Sequence, residues 1–526
     1  MKKISDYLYS TVNFIMVLLF TWIMILLCVG EKINYACKID WKLNNILLFL
    51  FGTICIYLIK KISFKKLELI AQRRRTVLVF ATLFFVVQVY IFYCIYFETG
   101  WDSGGAIIPA VRELLTHGNV NDLDITYFKR YPNNLFLVHY YYALLKISGK
   151  IGFISETYQL MPIVVCNCII SSLSCLMVFF ICEKRISTKW VWTIYIWMLI
   201  VVGLSPWNVV CYSDPFALFF PICMLYIYMN CGFNLYLKYS IIILLGYIGY
   251  STKPQVLIML MAIIITELIR CMKQKLKLNL WKLFGTIMIS GMIVCLISCA
   301  LQHIYQKNGF VKDKDYEFGM THFYMMGLNE VTNGIYFSDD VQLSDECKTY
   351  EERCEKNIGV SKERLNKYGW SGYLKLLSKK MLTNYNDGTF AWGAEGTFFY
   401  IILENPKAKL SHPFREVYYC DGNYYKYFSM MEHFLWIIMV GVVWYTSIKV
   451  LFRTKNKDNN ILLLELALIG ITLFELLFEA RARYFYAYIP IFAVFVLLGN
   501  FGDEEGEIND KDRKGSYKIY RKQSYH

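Results

Sequence analysis

Apolar residues run through this chain in long unbroken blocks, not in the alternating or one-faced rhythms of a water-soluble domain. The blocks cover positions 11–30, 44–62, 77–97, 158–182, 189–206, 214–231, 236–250, 254–271, 283–303, 433–452, 461–478 and 484–500. Most approach the ~20 residues that a helix needs to cross a bilayer core. The pattern predicts an all-α polytopic membrane protein of about twelve transmembrane helices. Strands of a membrane β-barrel are shorter and alternate in polarity. No tandem period marks a solenoid. One further block, Leu135–Ile147, carries His139 and three tyrosines (Tyr140, Tyr141, Tyr142) and ends near Lys146. Its length suits a helix lying at the interface better than a span.

Charge then orients the blocks. Basic clusters at Lys60–Lys66, Arg73–Arg75, Arg270–Lys282 and the tail Lys511–Lys522 abut apolar blocks. With a cytoplasmic N-terminus, the short loops 60–75, 183–189, 270–282 and 453–457 all lie inside, as the positive-inside rule requires. Counting Leu135–Ile147 as a span would flip every later loop, so it is placed on the outer surface. The expected organisation is two extra helices in 1–76 and a transmembrane core over 77–303 with a first outer loop at 98–157. A large extracytoplasmic loop over 304–432 follows, then the last helices over 433–500 and a basic cytoplasmic tail over 501–526. Both termini are then cytoplasmic in a multi-pass protein of the cell membrane. Met1-Lys2-Lys3 leads into the first block without a small-residue cleavage site, so that block reads as a retained span.

Composition agrees. Of 526 residues, 56% are hydrophobic and only 18% charged, against about 25% charged in soluble domains. The net charge of +14 belongs to cytoplasmic loops. It is not interleaved with stacking aromatics on a soluble face, which excludes nucleic acid as a partner. The 17 cysteines sit mostly inside apolar blocks, where they act as small hydrophobes. No CxxC pair or zinc spacing occurs. Cys347 and Cys354 share a polar loop, and their pairing is left open.

On this topology the unusual polar residues gather at one membrane face. Glu98 and Asp102 follow the third span in Phe97-Glu98-Thr99-Gly100-Trp101-Asp102-Ser103-Gly104-Gly105. Tyr212-Ser213-Asp214-Pro215, Ser251-Thr252-Lys253-Pro254 and Glu479-Ala480-Arg481-Ala482-Arg483-Tyr484 occupy three other outer turns. Ionisable groups at span edges are costly to hold and are functional candidates by default. Arg481, Arg483 and Lys253 suit a phosphate, because arginine offers planar bidentate contacts and lysine a point charge. Asp102 suits a general base, and Gly104-Gly105 beside it permits close backbone approach. Each has a plainer reading too. Asp102 fits a solvated loop acid, and the two arginines fit snorkelling anchors. Asp214 before Pro215 fits a helix N-cap. Lys253-Pro254 fits a simple turn.

In these residues the chain resembles the polytopic C-type glycosyltransferases of the GT-C superfold, in particular their Gram-positive branch. The likeness is to the protein O-mannosyltransferase and aminoarabinose transferase-like enzymes. The resemblance rests on an ordered set of short motifs from about residue 77 to residue 500. They are Trp101-Asp102-Ser103-Gly104, Tyr131-Pro132-Asn133-Asn134 before the interfacial helix, Tyr212-Ser213-Asp214 and Lys253-Pro254. His322 to Gly327 opens the large loop, Asp387 to Trp392 lies within it, and Glu479 to Tyr484 starts the last span.

The resemblance implies a sugar donor linked to polyprenyl phosphate and an acceptor outside the cytoplasm: a glycan, lipid or protein. It implies inversion at the anomeric centre, with Asp102 as base and Arg481, Arg483 and Lys253 on the donor phosphate. Glu98, Tyr212, Asp214, His322, Asp387, Glu479 and Tyr484 are the other implied site residues. Many relatives have two adjacent acids in the first loop; here Ser103 follows Asp102, which leaves metal dependence open because one carboxylate is a poor Mg²⁺ site. No other cofactor is implied. Two other function classes remain at this stage. A lipid-linked sugar flippase or transporter predicts an internal repeat and midplane charges, and only Glu267 and Glu475 stand out near span ends. A polysaccharide polymerase or ligase shares the donor and the outer arginines.

Overall fold

The computed structural model describes residues 2–29, 44–63, 74–152, 158–274, 280–393, 399–402, 409–453 and 458–501. The basic tail and the larger part of the loops around 64–73, 275–279 and 454–457 lie outside the described residues. The chain is an all-α polytopic membrane protein. Among the described residues eight helices are long and apolar enough to cross a bilayer: Lys3–Val29, Arg74–Cys94, Met161–Cys182, Pro254–Lys273, Phe284–Lys307, Tyr425–Leu451, Asn459–Leu477 and Ala482–Phe501. The other expected blocks are also helical but shorter, interrupted or less apolar. Asn45–Lys61 has 17 residues. Thr188–Met198 widens into a π-turn through Gly203. Ser213–Ala217 and Phe219–Asn230 are separate helices, because Pro221 has no N–H to give the Ala217 carbonyl. Leu235–Thr252 carries Lys238 and four tyrosines.

Apolar length alone does not say which helices form the core. Nearly every side chain of Ala482–Phe501 is buried, whereas most of those in Phe284–Lys307 face outward. Phe284, Ile287, Met288, Met292 and Leu296 on that outer helix are exposed. In lipid this carries no penalty, because acyl chains are as apolar as leucine. The Ile489–Phe501 helix instead sits between Met161–Cys182, Tyr425–Leu451 and Asn459–Leu477.

The first two helices now have a structural role. Lys2–Val29 packs along Tyr425–Leu451, Leu257–Gln274 and Asn459–Leu477. At the start of the second helix the Asn45 amide donates to the Leu27 carbonyl and to Asn386 Oδ1, both at 2.9 Å. His433 Nε2 lies 3.0 Å from Asn45 Oδ1. The pair therefore braces the end of the large 304–432 loop where it returns to the bundle.

That loop carries the helices Gly319–Gly327, Ser338–Asp345, Tyr350–Tyr385 and Ser411–Tyr418. Its interior mixes apolar side chains such as Phe318, Met325 and Met326 with buried polar ones. Buried Arg353 donates to the carbonyls of Ser344 (2.7 Å), Asp315 (2.8 Å) and Cys347 (2.8 Å). Arg364 pairs with Asp340 at 2.6 Å. Cys347 and Cys354 are both free thiols. The block 135–147 forms one helix, Asn134–Lys150, packed against Ile108–His117, Met161–Cys182 and Leu235–Thr252. Phe97–Thr99 and Phe399–Ile402 pair as a short antiparallel ribbon, joining the segment after Arg74–Cys94 to the 304–432 loop.

Candidate functional site

The turn after the Arg74–Cys94 helix is built around two backbone constraints. Trp101 adopts a left-handed φ of 60°, which costs a non-glycine residue about 1–3 kcal/mol unless its surroundings enforce it. A Cβ on Gly104 would stand 2.2 Å from the Thr99 carbonyl oxygen, so only glycine fits there. Side chains then sew this turn to the Tyr212 segment. Ser103 Oγ donates to the Cys211 carbonyl at 2.6 Å, and the Tyr141 hydroxyl donates to the Tyr212 carbonyl at 3.0 Å. The Tyr212 hydroxyl in turn donates to Asp102 Oδ2 at 3.3 Å. Tyr127 reaches the same carboxylate and is itself held by the Asn134 amide at 2.7 Å.

Asp102 is partly exposed. Its carboxyl is held above the usual aspartate range, chiefly by burial, while Arg483 and the two tyrosine hydroxyls pull it back down. That is the setting of a carboxylate with raised basicity.

Beside it lies a buried trio. Asp214 accepts from Lys253 on one oxygen and from Arg483 Nη1 on the other at 2.8 Å. The Asp214 side chain therefore serves ion pairing, not the N-cap role that its position before Pro215 also fits. The Arg483 guanidinium lies 4.3 Å from the Trp101 ring centre and 4.9 Å from that of Tyr484. Lys253 Nζ lies 4.6 Å from the Tyr484 ring. These cation–π contacts fix both cations further. The trio carries two positive charges and one negative.

A second pair stands nearer the surface. Arg481 Nε is 3.3 Å from Glu479 Oε1, and the Tyr484 hydroxyl donates to Glu479 Oε2 at 3.2 Å. Exposure separates the basic side chains: Arg481 is 14% exposed, Lys253 8% and Arg483 4%. Arg481 is therefore the basic group of the site nearest the surface.

The structure thus gathers Asp102, Tyr212, Asp214, Lys253, Glu479, Arg481, Arg483 and Tyr484. It leaves three expected residues elsewhere. Glu98 pairs with Arg112 at 2.8 Å on the loop surface. His322 is buried inside the 304–432 loop, with Nδ1 2.8 Å from Ser344 Oγ, and burial pushes its pKa down to about 4. It is a neutral core histidine. Asp387 is occupied by its own turn: it accepts from Thr389 N (2.8 Å), Thr389 Oγ1 (2.7 Å) and Ala391 N (2.9 Å). Those bonds hold the left-handed φ values of Phe390 (53°) and Ala391 (65°). This turn seats the loop on the bundle. A Cβ on Gly388 would stand 2.3 Å from the Glu432 carbonyl oxygen. Gly388→Ala is therefore expected to cost about 1–3 kcal/mol by overpacking, seen as a lower thermal midpoint.

Other neighbours complete the site, and of these Tyr336 and Lys380 carry no sequence signal of their own. Trp101 and Tyr212 rings meet at 5.0 Å. Tyr131 and Tyr336 both feel the charges of Asp102 and Glu479, and Tyr336, from the large loop, is 51% exposed. Lys380 is the least legible. Fully buried, it donates to the carbonyls of Gly327 (2.9 Å) and Leu476 (2.7 Å) and to that of Phe478. Burial pushes its pKa down to about 7, opposed by Glu475 and Glu479. Close by, Ala480 N donates to the Gly334 carbonyl at 2.8 Å. The large loop thereby grips the turn that presents Glu479 and Arg481.

Among the described residues no group of three His, Cys, Asp or Glu converges as a cation site. Asp214 is enclosed by two basic groups and Asp102 stands with tyrosines, a donor set that does not fit Mg²⁺.

A family model described as a conserved hypothetical integral membrane protein matches residues 1–501. No match was found with a curated protein or with a solved structure. With 501 of the 526 residues inside that match, the chain belongs to this family of integral membrane proteins.

Proposed function

We propose that this protein is a GT-C-type membrane glycosyltransferase of about twelve spans, moving a sugar from a polyprenyl-phosphate donor to an acceptor outside the cytoplasm. The observation that carries this reading is one convergence. A carboxylate of raised basicity, Asp102, stands beside the Lys253–Asp214–Arg483 trio and Arg481, at one end of the bundle, with aromatic walls from both outer loops. Asp102 takes the proton of the acceptor hydroxyl. The acceptor oxygen bonds to the anomeric carbon from the face opposite the phosphate. The bond between that carbon and the phosphate oxygen breaks, and its electron pair leaves on polyprenyl phosphate. Arg481 and the field of the trio stabilise the charge growing there. Trp101, Tyr131 and Tyr336 offer ring faces and hydroxyls to the sugar.

The test is direct transfer. The purified protein is offered a panel of polyprenyl-phosphate sugars with envelope extract as acceptor, and release of polyprenyl phosphate is measured. No turnover with any donor sinks the reading. The acid limb of the rate profile is expected above the ordinary aspartate pKa of about 3.9, because burial raises Asp102 and only its ionised form accepts a proton. Activity falls as pH drops through that limb; a limb at or below the ordinary value would argue against Asp102. Arg481→Ala is expected to raise the donor Michaelis constant by roughly tenfold, as for one charge-assisted phosphate contact, with the acceptor constant unchanged.

The reading needs the Asp102 end of the bundle to face outside, with both termini cytoplasmic. A reporter inserted after Tyr140 is expected to signal outside, and a cytoplasmic signal there breaks the site assignment. A second reading, lipid-linked sugar flipping, is favoured by one observation. Glu465 is a fully buried acid inside the Asn459–Leu477 helix, where a transport pathway would place one. Lipid scrambling in vesicles without transfer would select it.

A further inference from the structure

At the opposite end of the bundle from Asp102 lies a cavity of about 450 Å³, within the range of small-molecule sites. It is bounded where several helices end or begin: after Cys182, at Met229, at Leu235, near Arg270 and at Asn459. Three of these helices, Met161–Cys182, Pro254–Lys273 and Asn459–Leu477, are long and apolar enough to cross a bilayer, so the cavity stands where they would leave it. Arg185, Lys238 and Arg270 supply its positive charge.

Its acids are already engaged. Glu267 accepts from Arg270 at 2.6 Å on one oxygen and from the Tyr228 hydroxyl at 2.5 Å on the other. Asp458 accepts from Asn460 N at 2.9 Å as a helix cap. The basic wall is also held in place. Arg185 donates to Asn230 Oδ1 at 3.0 Å and to the Met229 carbonyl at 3.1 Å, tying two helix ends together. Lys238 Nζ sits 5.2 Å from the Tyr228 ring centre; Glu267 attracts it electrostatically, but among the described residues no carboxylate accepts a hydrogen bond from it.

The cavity edge is apolar. Phe233 and Leu235 line it and are each 45% exposed, and Leu237 just beyond is 46% exposed. A free anion gains nothing from such a rim. A lipid gains both the cationic floor for its phosphate and the rim for the start of its acyl chains. Basic pockets between transmembrane helices recognise lipid head groups in this way.

We propose that this cavity binds the phosphate head group of an anionic glycerophospholipid from the adjoining leaflet. The site stands apart from Asp102 and does not depend on the transfer reading. The full-length protein would be reconstituted in nanodiscs of phosphatidylcholine, with or without phosphatidylglycerol. Thermal midpoint and retained lipid, by native mass spectrometry, would be compared for wild type, Lys238→Ala and Lys238→Arg. Phosphatidylglycerol is expected to raise the wild-type midpoint. Retention is expected to be roughly tenfold weaker in Lys238→Ala, the worth of one contact to a charged group, and preserved in Lys238→Arg. Equal response to both lipids, or the same retention in Lys238→Ala as in wild type, overturns the proposal. So does an equal midpoint rise from inorganic phosphate alone, which would mark a free-anion site.

Discussion

Asp102→Asn is expected to lower sugar transfer by about 10²–10⁴-fold, the usual worth of a general base, without unfolding the protein. Asparagine has nearly the same shape, and its carbonyl oxygen still accepts from the Tyr212 hydroxyl, which now lies 3.3 Å from Asp102 Oδ2. What it loses is the ability to take a proton. Stability should not suffer, because burial raises the Asp102 pKa and a neutral side chain avoids that desolvation. The thermal midpoint should therefore match or exceed that of the wild type. Arg483 is drawn electrostatically to Asp102, so removing the negative charge leaves the basic trio more attractive to phosphate. The donor Michaelis constant is expected to stay level or fall while kcat collapses. Retained kcat would remove Asp102 as the base. Tyr212→Phe provides the contrast: it deletes one donor to the carboxylate, raises the Asp102 pKa and moves the acid limb upward, with a modest loss of rate.

Among the described residues, eight of the twelve expected spans match helices long and apolar enough to cross a bilayer; they were legible because lipid selects for apolar length, and length is written directly in the sequence. Burial among the spans was not. Phe284–Lys307 and Ala482–Phe501 look alike as apolar runs, yet one lies at the edge and the other at the centre. Lipid and protein interior solvate leucine equally well, so no pattern separates them. The site was half legible for a related reason. Acids and bases at span ends are rare, so Asp102, Asp214, Lys253 and Arg483 stood out singly. Their pairing did not: nothing in sequence order tells that Asp214 takes both Lys253 and Arg483. Asp387 and His322 show the opposite failure. Each sits in a distinctive motif, but one caps its own turn and the other fills a loop core. Lys380 was invisible, being one basic residue among many on a polar helix whose partners are backbone carbonyls. Glu465, an acid inside an apolar helix, carries the same sequence signal as Glu475.

Asp214→Ala is expected to be the most damaging single change for the fold, costing about 3–5 kcal/mol, as when one member of a buried ion pair is removed. Asp214 is fully buried between two cations. Its loss leaves Lys253 and Arg483 facing each other as like charges without the carboxylate they share. Arg483→Ala runs the other way. It leaves Lys253 and Asp214 as a one-to-one pair, so the stability loss should be smaller, while the positive field on the donor phosphate drops. The Arg483 variant should fold, and its donor Michaelis constant should rise with the acceptor constant unchanged. An unchanged donor constant and rate would end the phosphate role of Arg483. The double variant Asp214→Ala/Arg483→Ala restores a single buried cation and should be more stable than Asp214→Ala alone. Residues in one ion network couple non-additively in this way. Thermal midpoints of the four proteins in detergent give the cycle. If Asp214→Ala melts like the wild type, the trio is not what holds the turns of Tyr212, Lys253 and Arg483 together. The field assigned to it at the donor phosphate would then fall as well.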